Sequence, residues 1–141
     1  MSVRAGRGVL DTSTLIGLAS VTDPSLLPVE PVITAVTLAE LSVGALIAQD
    51  PAQRAMRQLR LQQAETRFDP LPFDAAAARA FGHVAASLRR RGRKTSARTY
   101  DAMIAATALA NGLGLYTSNP DDFEGIDGLS VTAVPLSSRA P

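Results

Sequence analysis

Short apolar segments separated by longer helical segments are the feature that most constrains the fold of this chain. Five segments have the character of strands: GVLD, PVITA, RFDPLPF, LGLYTSN and LSVTAVPL. Strands separated by helices, with almost no hairpin signals between them, favour parallel pairing under a cover of helices. We therefore predict an α/β fold with a mostly parallel central sheet of about five strands and helices on both of its faces.

The helices between the strands begin and end at recognisable residues. Asp50 followed by Pro51 has the form of an N-cap with proline in the first turn, and it opens the segment PAQRAMRQLRLQQAE. Asp74 opens an alanine-rich helix that ends at Gly92, and a further helix, RTYDAMIAATALANG, ends at Gly112.

Length and composition limit the classes of protein to consider. The 141 residues are 46% hydrophobic and 19% charged, which is typical of a globular protein, and we treat residues 1–141 as one domain. The absence of cysteine excludes a disulfide framework and a thiolate metal site. The sequence has neither a signal-peptide pattern nor the roughly 18 uninterrupted apolar residues of a membrane helix. We therefore expect a cytoplasmic protein with no membrane partner.

Three carboxylates lie in apolar sequence, where an ionised side chain is costly unless it has a partner. Asp11 follows the first strand, Glu40 lies in ITAVTLAELSVGAL, and Asp101 lies in YDAMIAATALA. Each has a local explanation. Asp11 can cap the helix that follows it, Thr37 and Glu40 have the spacing of a capping box, and Asp101 suits the first turn of its helix.

Taken together, the three carboxylates indicate a metal site. The ends of parallel strands and the helix starts that follow them meet at one edge of the sheet, where ligands bind. Carboxylates gathered there repel one another unless a cation lies between them, and Mg²⁺ prefers oxygen ligands. The single histidine, His83, lies in the middle of a helix and is more typical of a helix residue than of a ligand.

The basic residues are unevenly distributed. Six of the fourteen lie in RRRGRKTSAR, a segment without acids: Arg89, Arg90, Arg91, Arg93, Lys94 and Arg98. Such a run is either a solvated helix end, suited to the helix dipole, or a site for an anionic partner. In the second case it would hold the phosphates of a nucleic acid beside the metal.

Three blocks of the sequence carry a resemblance to a known family: GVLDTSTLI, ITAVTLAEL and YDAMIAATALANGLGLYTSNPDDF. In this order and spacing they resemble the PIN-domain nucleases and, within them, the VapC toxins of bacterial toxin–antitoxin pairs. The last block is the most specific of the three. The resemblance extends over nearly the whole chain.

The resemblance implies which residues form the site. The catalytic and metal-binding carboxylates would be Asp11, Glu40, Asp101 and Asp122. Asn119 stands where some members of the family carry aspartate, so its amide oxygen is a further candidate ligand. Asp122 is preferred to Asp121 because it occupies the DF position of the motif. Thr12 and Ser13 would support Asp11, and Thr117 would close the site.

The resemblance also implies an activity and partners. It implies a Mg²⁺-dependent endoribonuclease, with Mn²⁺ as a substitute, that acts as the toxin of a type II toxin–antitoxin system. The partners would be RNA, a small VapB-like antitoxin and a second copy of the chain. Two alternatives stay open: a PIN nuclease that processes RNA or cleaves structured DNA, and a binding module with weak catalysis.

A possible surface for the homodimer is visible in AQRAMRQLRLQQA. Met56, Leu59 and Gln63 recur there at helical spacing. This stripe either contacts a second copy of the chain or packs on the sheet of its own domain.

Overall fold

A four-stranded parallel sheet forms the centre of the computed structural model, which describes residues 6–93 and 98–137. The strands are β1 (Arg7–Leu10), β2 (Glu30–Val32), β3 (Gly114–Thr117) and β4 (Val131–Ala133), in the order β2-β1-β3-β4. All three pairings are parallel. Because β1 and β3 are the inner strands, the segments that follow them leave the sheet side by side.

The segment RFDPLPF does not become a fifth strand. Leu71 forms one isolated parallel bridge with Thr34 and donates its N–H to the carbonyl of Ile33 at 2.9 Å. The segment that Leu71 pairs with turns into a helix at Ala35, so the ladder does not extend beyond this bridge. The described part of the chain therefore has a sheet of four strands rather than about five.

Five helices lie around the sheet in the described ranges: α1 (Thr12–Ile16), α2 (Ala35–Ile47), α3 (Pro51–Arg67), α4 (Ala75–Arg90) and α5 (Thr99–Ala110). The first four begin after side chains that accept a hydrogen bond from the first turn, namely those of Asp11, Thr34, Asp50 and Asp74. The caps predicted at Asp50 and Asp74 are confirmed. None of these helices is long and apolar enough to cross a membrane.

Because successive side chains of a strand point to opposite faces of the sheet, they pack in two cores, one on each face. Val9 and Leu115 pack with buried side chains of α4 and α5. Leu10 and Tyr116, the next residue on each strand, pack on the opposite face with residues of α2 and α3. Helices therefore cover both faces, and the predicted α/β class is confirmed.

Candidate active site

Asp11 lies where β1 ends and α1 begins, and only 3% of it is exposed. Its Oδ1 accepts a hydrogen bond from the backbone N–H of Thr14 at 3.2 Å. Its Oδ2 accepts one from the hydroxyl of Thr117 at 2.7 Å and a longer one from Ser13 at 3.4 Å. Asp11 therefore caps α1 with one oxygen, while the other oxygen is held at the end of β3.

Glu40 lies within α2 and is not part of a capping box. The cap of α2 is Thr34, whose hydroxyl accepts a hydrogen bond from the backbone N–H of Thr37 at 3.3 Å. The capping-box alternative is wrong because α2 begins at Ala35, which places Thr37 inside its first turn. Glu40 instead accepts a hydrogen bond of 2.6 Å from Thr12, which lies 28 residues earlier.

Thr12 supports Glu40 rather than Asp11. Its hydroxyl oxygen lies 2.6 Å from Oε1 of Glu40 and 2.9 Å from the hydroxyl oxygen of Thr37. Burial raises the pKa of Glu40, the hydrogen bond from Thr12 opposes this rise, and the charge of Asp11 adds to it. The expectation that Thr12 supports Asp11 is corrected because Thr12 is the first residue of α1, and its hydroxyl contacts α2.

Asp101 lies in the first turn of α5 among the other carboxylates. Burial raises its pKa to about 6, the charges of Asp122, Glu40 and Asp11 contribute to the rise, and Arg98 opposes it. Repulsion between like charges weakens with distance, so a carboxylate influenced by three others lies close to them. The structure therefore brings together the four acids that the motifs indicate.

The turn Pro120–Phe123 carries the fourth acid. Asp122 is partly buried and forms an ion pair with Arg98. Asp121 is exposed, and its backbone carbonyl accepts a hydrogen bond from Arg93 at 3.0 Å. Of these two neighbouring acids, Asp122 is the one whose charge raises the pKa of Asp101.

Asn119 joins the end of β3 to the start of α1. Its side-chain amide donates to the hydroxyl of Ser13 at 3.1 Å, and its backbone N–H donates to the hydroxyl of Thr117 at 2.9 Å. Thr117 in turn donates to Asp11. The three polar residues thus form a chain of hydrogen bonds that ends on the most buried carboxylate of the site.

Sequence reasoning missed two further hydroxyl residues of this network. Thr14 is fully buried, and its hydroxyl accepts a hydrogen bond of 2.8 Å from the backbone N–H of Ser118. Ser118 also lies 3.3 Å from Ser13, measured between the hydroxyl oxygens. The sequence feature that could have indicated them is the high density of hydroxyl residues in DTST and TSN, at the ends of two buried strands.

Part of the basic run is engaged within the fold. Arg90 forms an ion pair of 2.6 Å with Asp127, and Arg91 lies 3.5 Å from the other oxygen of that carboxylate. The hydrogen bond from Arg90 lowers the pKa of Asp127. Arg89 is exposed at the end of α4.

The rest of the run surrounds the turn after β3. Arg93 donates to the carbonyls of Asp121 and Glu124 at 3.0 and 2.7 Å. Arg98 pairs with Asp122. Lys94, the remaining candidate for RNA binding, lies outside the described residues. Two members of the basic run, Arg93 and Arg98, therefore hold the turn that carries Asp122.

The donor set suits a hard divalent cation. It consists of carboxylate and hydroxyl oxygens. Burial, and after it the charges of three other acids, raise the pKa of Asp101, and a bound cation would offset both effects. Within the described ranges, no three acidic or histidine side chains are already arranged as a direct ligand set. Mg²⁺ retains several of its waters, so it suits a cluster of this looser kind. His83 lies exposed on α4, as expected for a helix residue.

Comparison with known families identifies the family of this fold. The family described as PIN domain matches residues 9–129. The chain belongs to the PIN-domain family. The match includes all four carboxylates of the site, so the acids that the structure brings together lie within the PIN domain.

Characterised relatives of this PIN domain include VapC ribonucleases. Ribonuclease VapC5 of Mycobacterium tuberculosis is 38% identical over 130 residues, which cover 91% of this chain and 93% of that protein. The tRNA(fMet)-specific endonuclease VapC of Shigella flexneri is 38% identical over 97 residues, 69% of this chain and 70% of that protein. The predicted family and the assignment as an endoribonuclease are confirmed.

Solved structures give the same result for the fold of the PIN domain. VapBC-5 from Mycobacterium tuberculosis, a member of the VapBC family of toxin–antitoxin systems, superimposes with a TM-score of 0.78 at 38% identity. The superposition covers 93% of this chain and 99% of that chain. DNA-bound VapBC from Salmonella typhimurium gives a TM-score of 0.73 at 27% identity, with coverage of 92% and 98%.

Proposed function

We propose that this PIN domain hydrolyses RNA phosphodiester bonds with Mg²⁺, or with Mn²⁺ as a substitute, and that it acts as the toxin of a type II toxin–antitoxin system. The observation that carries the proposal is the position of Asp101 among three other carboxylates, which raise its pKa together with burial. Four buried or partly buried acids gathered at one edge of a sheet lower the stability of the fold unless their charge is neutralised. They are explained by a cation that binds between them.

The residues that would hold the cation are the four carboxylates, with Asn119 as a further candidate. When bound, a divalent cation supplies Lewis-acid stabilisation of the phosphate and a more acidic water. Asp11 is oriented for this role by Thr117 and Thr14, and Glu40 by Thr12. These hydrogen bonds fix the direction of each carboxylate before the substrate binds.

Asp101 and Asp122 would complete the set of carboxylate ligands. The pKa of Asp101 is raised to about 6 in the metal-free protein, so binding of a cation near that pH would release a proton from part of the molecules. Arg98 neutralises part of the charge of Asp122 and orients it. We assign cleavage to an attacking water, because the four acids supply ligands and no nucleophile is needed from a side chain.

A VapB-like antitoxin is the partner that we propose for this chain. The structure of VapBC-5, which covers 93% of this chain, is described as a member of a family of toxin–antitoxin systems. An antitoxin bound to this domain would restrain its RNA cleavage. The protein is then a growth inhibitor that becomes active when the antitoxin is removed.

A second copy of the chain is the other proposed partner. Met56 and Leu59 on α3 are 59% and 53% exposed, so their stripe does not pack on the sheet of its own domain. Ala64 is the buried residue of α3, all of which is described. An apolar stripe left uncovered on a small domain favours a homodimer.

The test is cleavage of total RNA by the purified protein, with the cut sites mapped, in Mg²⁺ and in EDTA. We expect cleavage that EDTA abolishes and that Asp11→Ala removes. Asp127→Asn is the matched control, since Asp127 is an exposed acid paired with Arg90 outside the cluster. Undiminished cleavage in EDTA would contradict the metal mechanism, and equal loss in the Asp127 variant would contradict the assignment of the site.

A further inference from the structure

A cleft of about 280 Å³ opens directly beside Glu40, between α1, α2 and α3. Thr12 and Glu40 form its polar wall, and the side chains of Arg57 and Arg60 approach from α3. A second cavity of about 200 Å³ continues along α1 and α3. Arg60 and Ile16 line both, so they lie where the two meet.

The arginines of α3 differ in what they contact. Arg54 donates to the carbonyl of Ala48 at 3.0 Å, and Arg57 donates to the carbonyl of Gly44 at 2.9 Å. These two bind free carbonyls at the end of α2, as basic side chains often do. Arg60 follows Arg57 by one helical turn, is partly buried, and has no hydrogen-bond or ion-pair partner in the part of the chain that the structure describes.

Arg60 thus differs from the arginines of the basic run that the fold engages. Arg90 and Arg91 share Asp127, and Arg93 is engaged by two backbone carbonyls. A guanidinium group that is already paired gains less from an added phosphate, because it must first give up its partner. Arg60 needs no such exchange, and it lines the same cleft as a carboxylate of the site.

We propose that Arg60 binds a backbone phosphate of the RNA strand beside the scissile one, with the cleft next to Glu40 as the path of the strand. This inference rests on the proposed ribonuclease function. A strand of phosphates is repelled by four carboxylates unless cations lie along its path. A guanidinium group suits this task because it binds phosphate oxygens with two parallel N–H donors. Ile16 and Leu41 supply apolar surface in the cleft for a ribose or a base.

The matched variants are Arg60→Gln, Arg60→Lys and Arg79→Gln. Arg79 is exposed on α4, so its replacement makes the same change in charge away from the cleft. Each variant is tested for binding to a short fluorescein-labelled single-stranded RNA of mixed sequence, in EDTA and over a range of KCl concentrations. EDTA prevents cleavage, so affinity is measured separately from catalysis. Cleavage in Mg²⁺ is then measured for kcat and KM.

For Arg60→Gln we expect Kd to rise about 10-fold at low salt, and the slope of log Kd against log salt to fall by about one. KM should rise in parallel, with kcat within about twofold of wild type. Arg60→Lys should retain the salt slope, because it keeps the charge, and Arg79→Gln should behave as wild type. The lysine variant also serves as the folded reference if the glutamine variant proves unstable.

The outcomes separate this proposal from the proposed function. If the wild type cleaves RNA but Arg60→Gln binds it as Arg79→Gln does, the role of Arg60 is overturned and the ribonuclease stands. If the wild type neither binds nor cleaves RNA, both are overturned. If Arg60→Gln binds RNA normally but no longer retains a co-expressed antitoxin, the cleft is a protein-binding surface and the RNA proposal is wrong.

Discussion

The hydroxyl of Thr12 donates a hydrogen bond of 2.6 Å to Oε1 of Glu40, which joins the first residue of α1 to the middle of α2. This bond opposes the rise in the pKa of Glu40 that burial causes. Thr12 therefore influences both the direction and the ionisation of a carboxylate that we assign to the metal site.

We predict that Thr12→Val shifts the acid side of the pH–activity profile to higher pH. Without the donor, the pKa of Glu40 rises further, so a higher pH is needed to ionise it. Thr66→Val is the matched control, because the hydroxyl of Thr66 bonds the carbonyl of Gln62 on α3 instead. A profile that overlays that of the wild type would show that Glu40 does not depend on Thr12.

The stability of the metal-free protein should fall as pH rises from about 4 to about 6. The pKa of Asp101 is raised from 3.8 to about 6 in the folded protein, so the folded state binds more protons than the unfolded state in this interval. The free energy of unfolding therefore decreases as pH rises through this interval, and it stays at the lower value above about pH 6. Asp101→Asn should remove part of this decrease, measured by urea unfolding in EDTA at several pH values. Equal pH dependence in both proteins would argue against the raised pKa.

Mg²⁺ should stabilise the wild type and have much less effect on Asp101→Asn. A ligand present at ten times its Kd stabilises the folded state by about 1.4 kcal/mol, which raises Tm by roughly 3–6 °C for a domain of this size. The variant loses a ligand, so its Tm in Mg²⁺ should stay near its metal-free value, and RNA cleavage should fall by orders of magnitude. A variant that still cleaves RNA would show that Asp101 is only a first-turn acid.

Replacing Arg93 should lower activity more than replacing Arg89. Arg93 donates to two carbonyls of the turn that carries Asp122, whereas Arg89 is exposed at the end of α4. We expect Arg93→Gln to lower kcat by about 10-fold through a displaced Asp122, and Arg89→Gln to stay within about twofold of wild type. RNA affinity measured in EDTA distinguishes a basic run that holds the turn from one that binds RNA. If the run binds RNA directly, both variants will weaken binding and flatten its salt dependence.

Charges introduced into the apolar stripe of α3 should dissociate the homodimer that we propose. Met56→Glu combined with Leu59→Glu places two carboxylates on a surface that would otherwise be buried between copies, so the mass from light scattering should halve. Val29→Glu is the control, since Val29 is 64% exposed and lies outside α3. A wild type that is already monomeric at micromolar concentration would remove the dimer proposal.

The sheet shows which strands the sequence pattern predicts correctly and which it does not. Each of the four strands that pair overlaps a predicted segment, because burial on both faces leaves a visible apolar run. The segment RFDPLPF resembles a strand in composition but contributes one bridge at Leu71. Its failure to pair further depends on the neighbouring segment, which turns into α2 at Ala35, and a local pattern does not contain that information.

The sequence by itself determined the α/β class and the capped starts of helices at Asp50 and Asp74, and it indicated the four acids of the candidate site, because each of these depends on residues close together in the chain or on a family motif. The tertiary structure alone decided how those acids are held. Thr117 reaches Asp11 over 106 residues, Thr12 reaches Glu40 over 28, and Arg98 reaches Asp122 over 24. The capping box at Thr37 and Glu40 was locally plausible and wrong, because α2 begins at Ala35 with Thr34 as its cap, and Glu40 accepts its hydrogen bond from Thr12 of another helix. These hydrogen bonds form only when the fold brings distant segments of the chain together. The local spacing of residues does not predict which segments will meet.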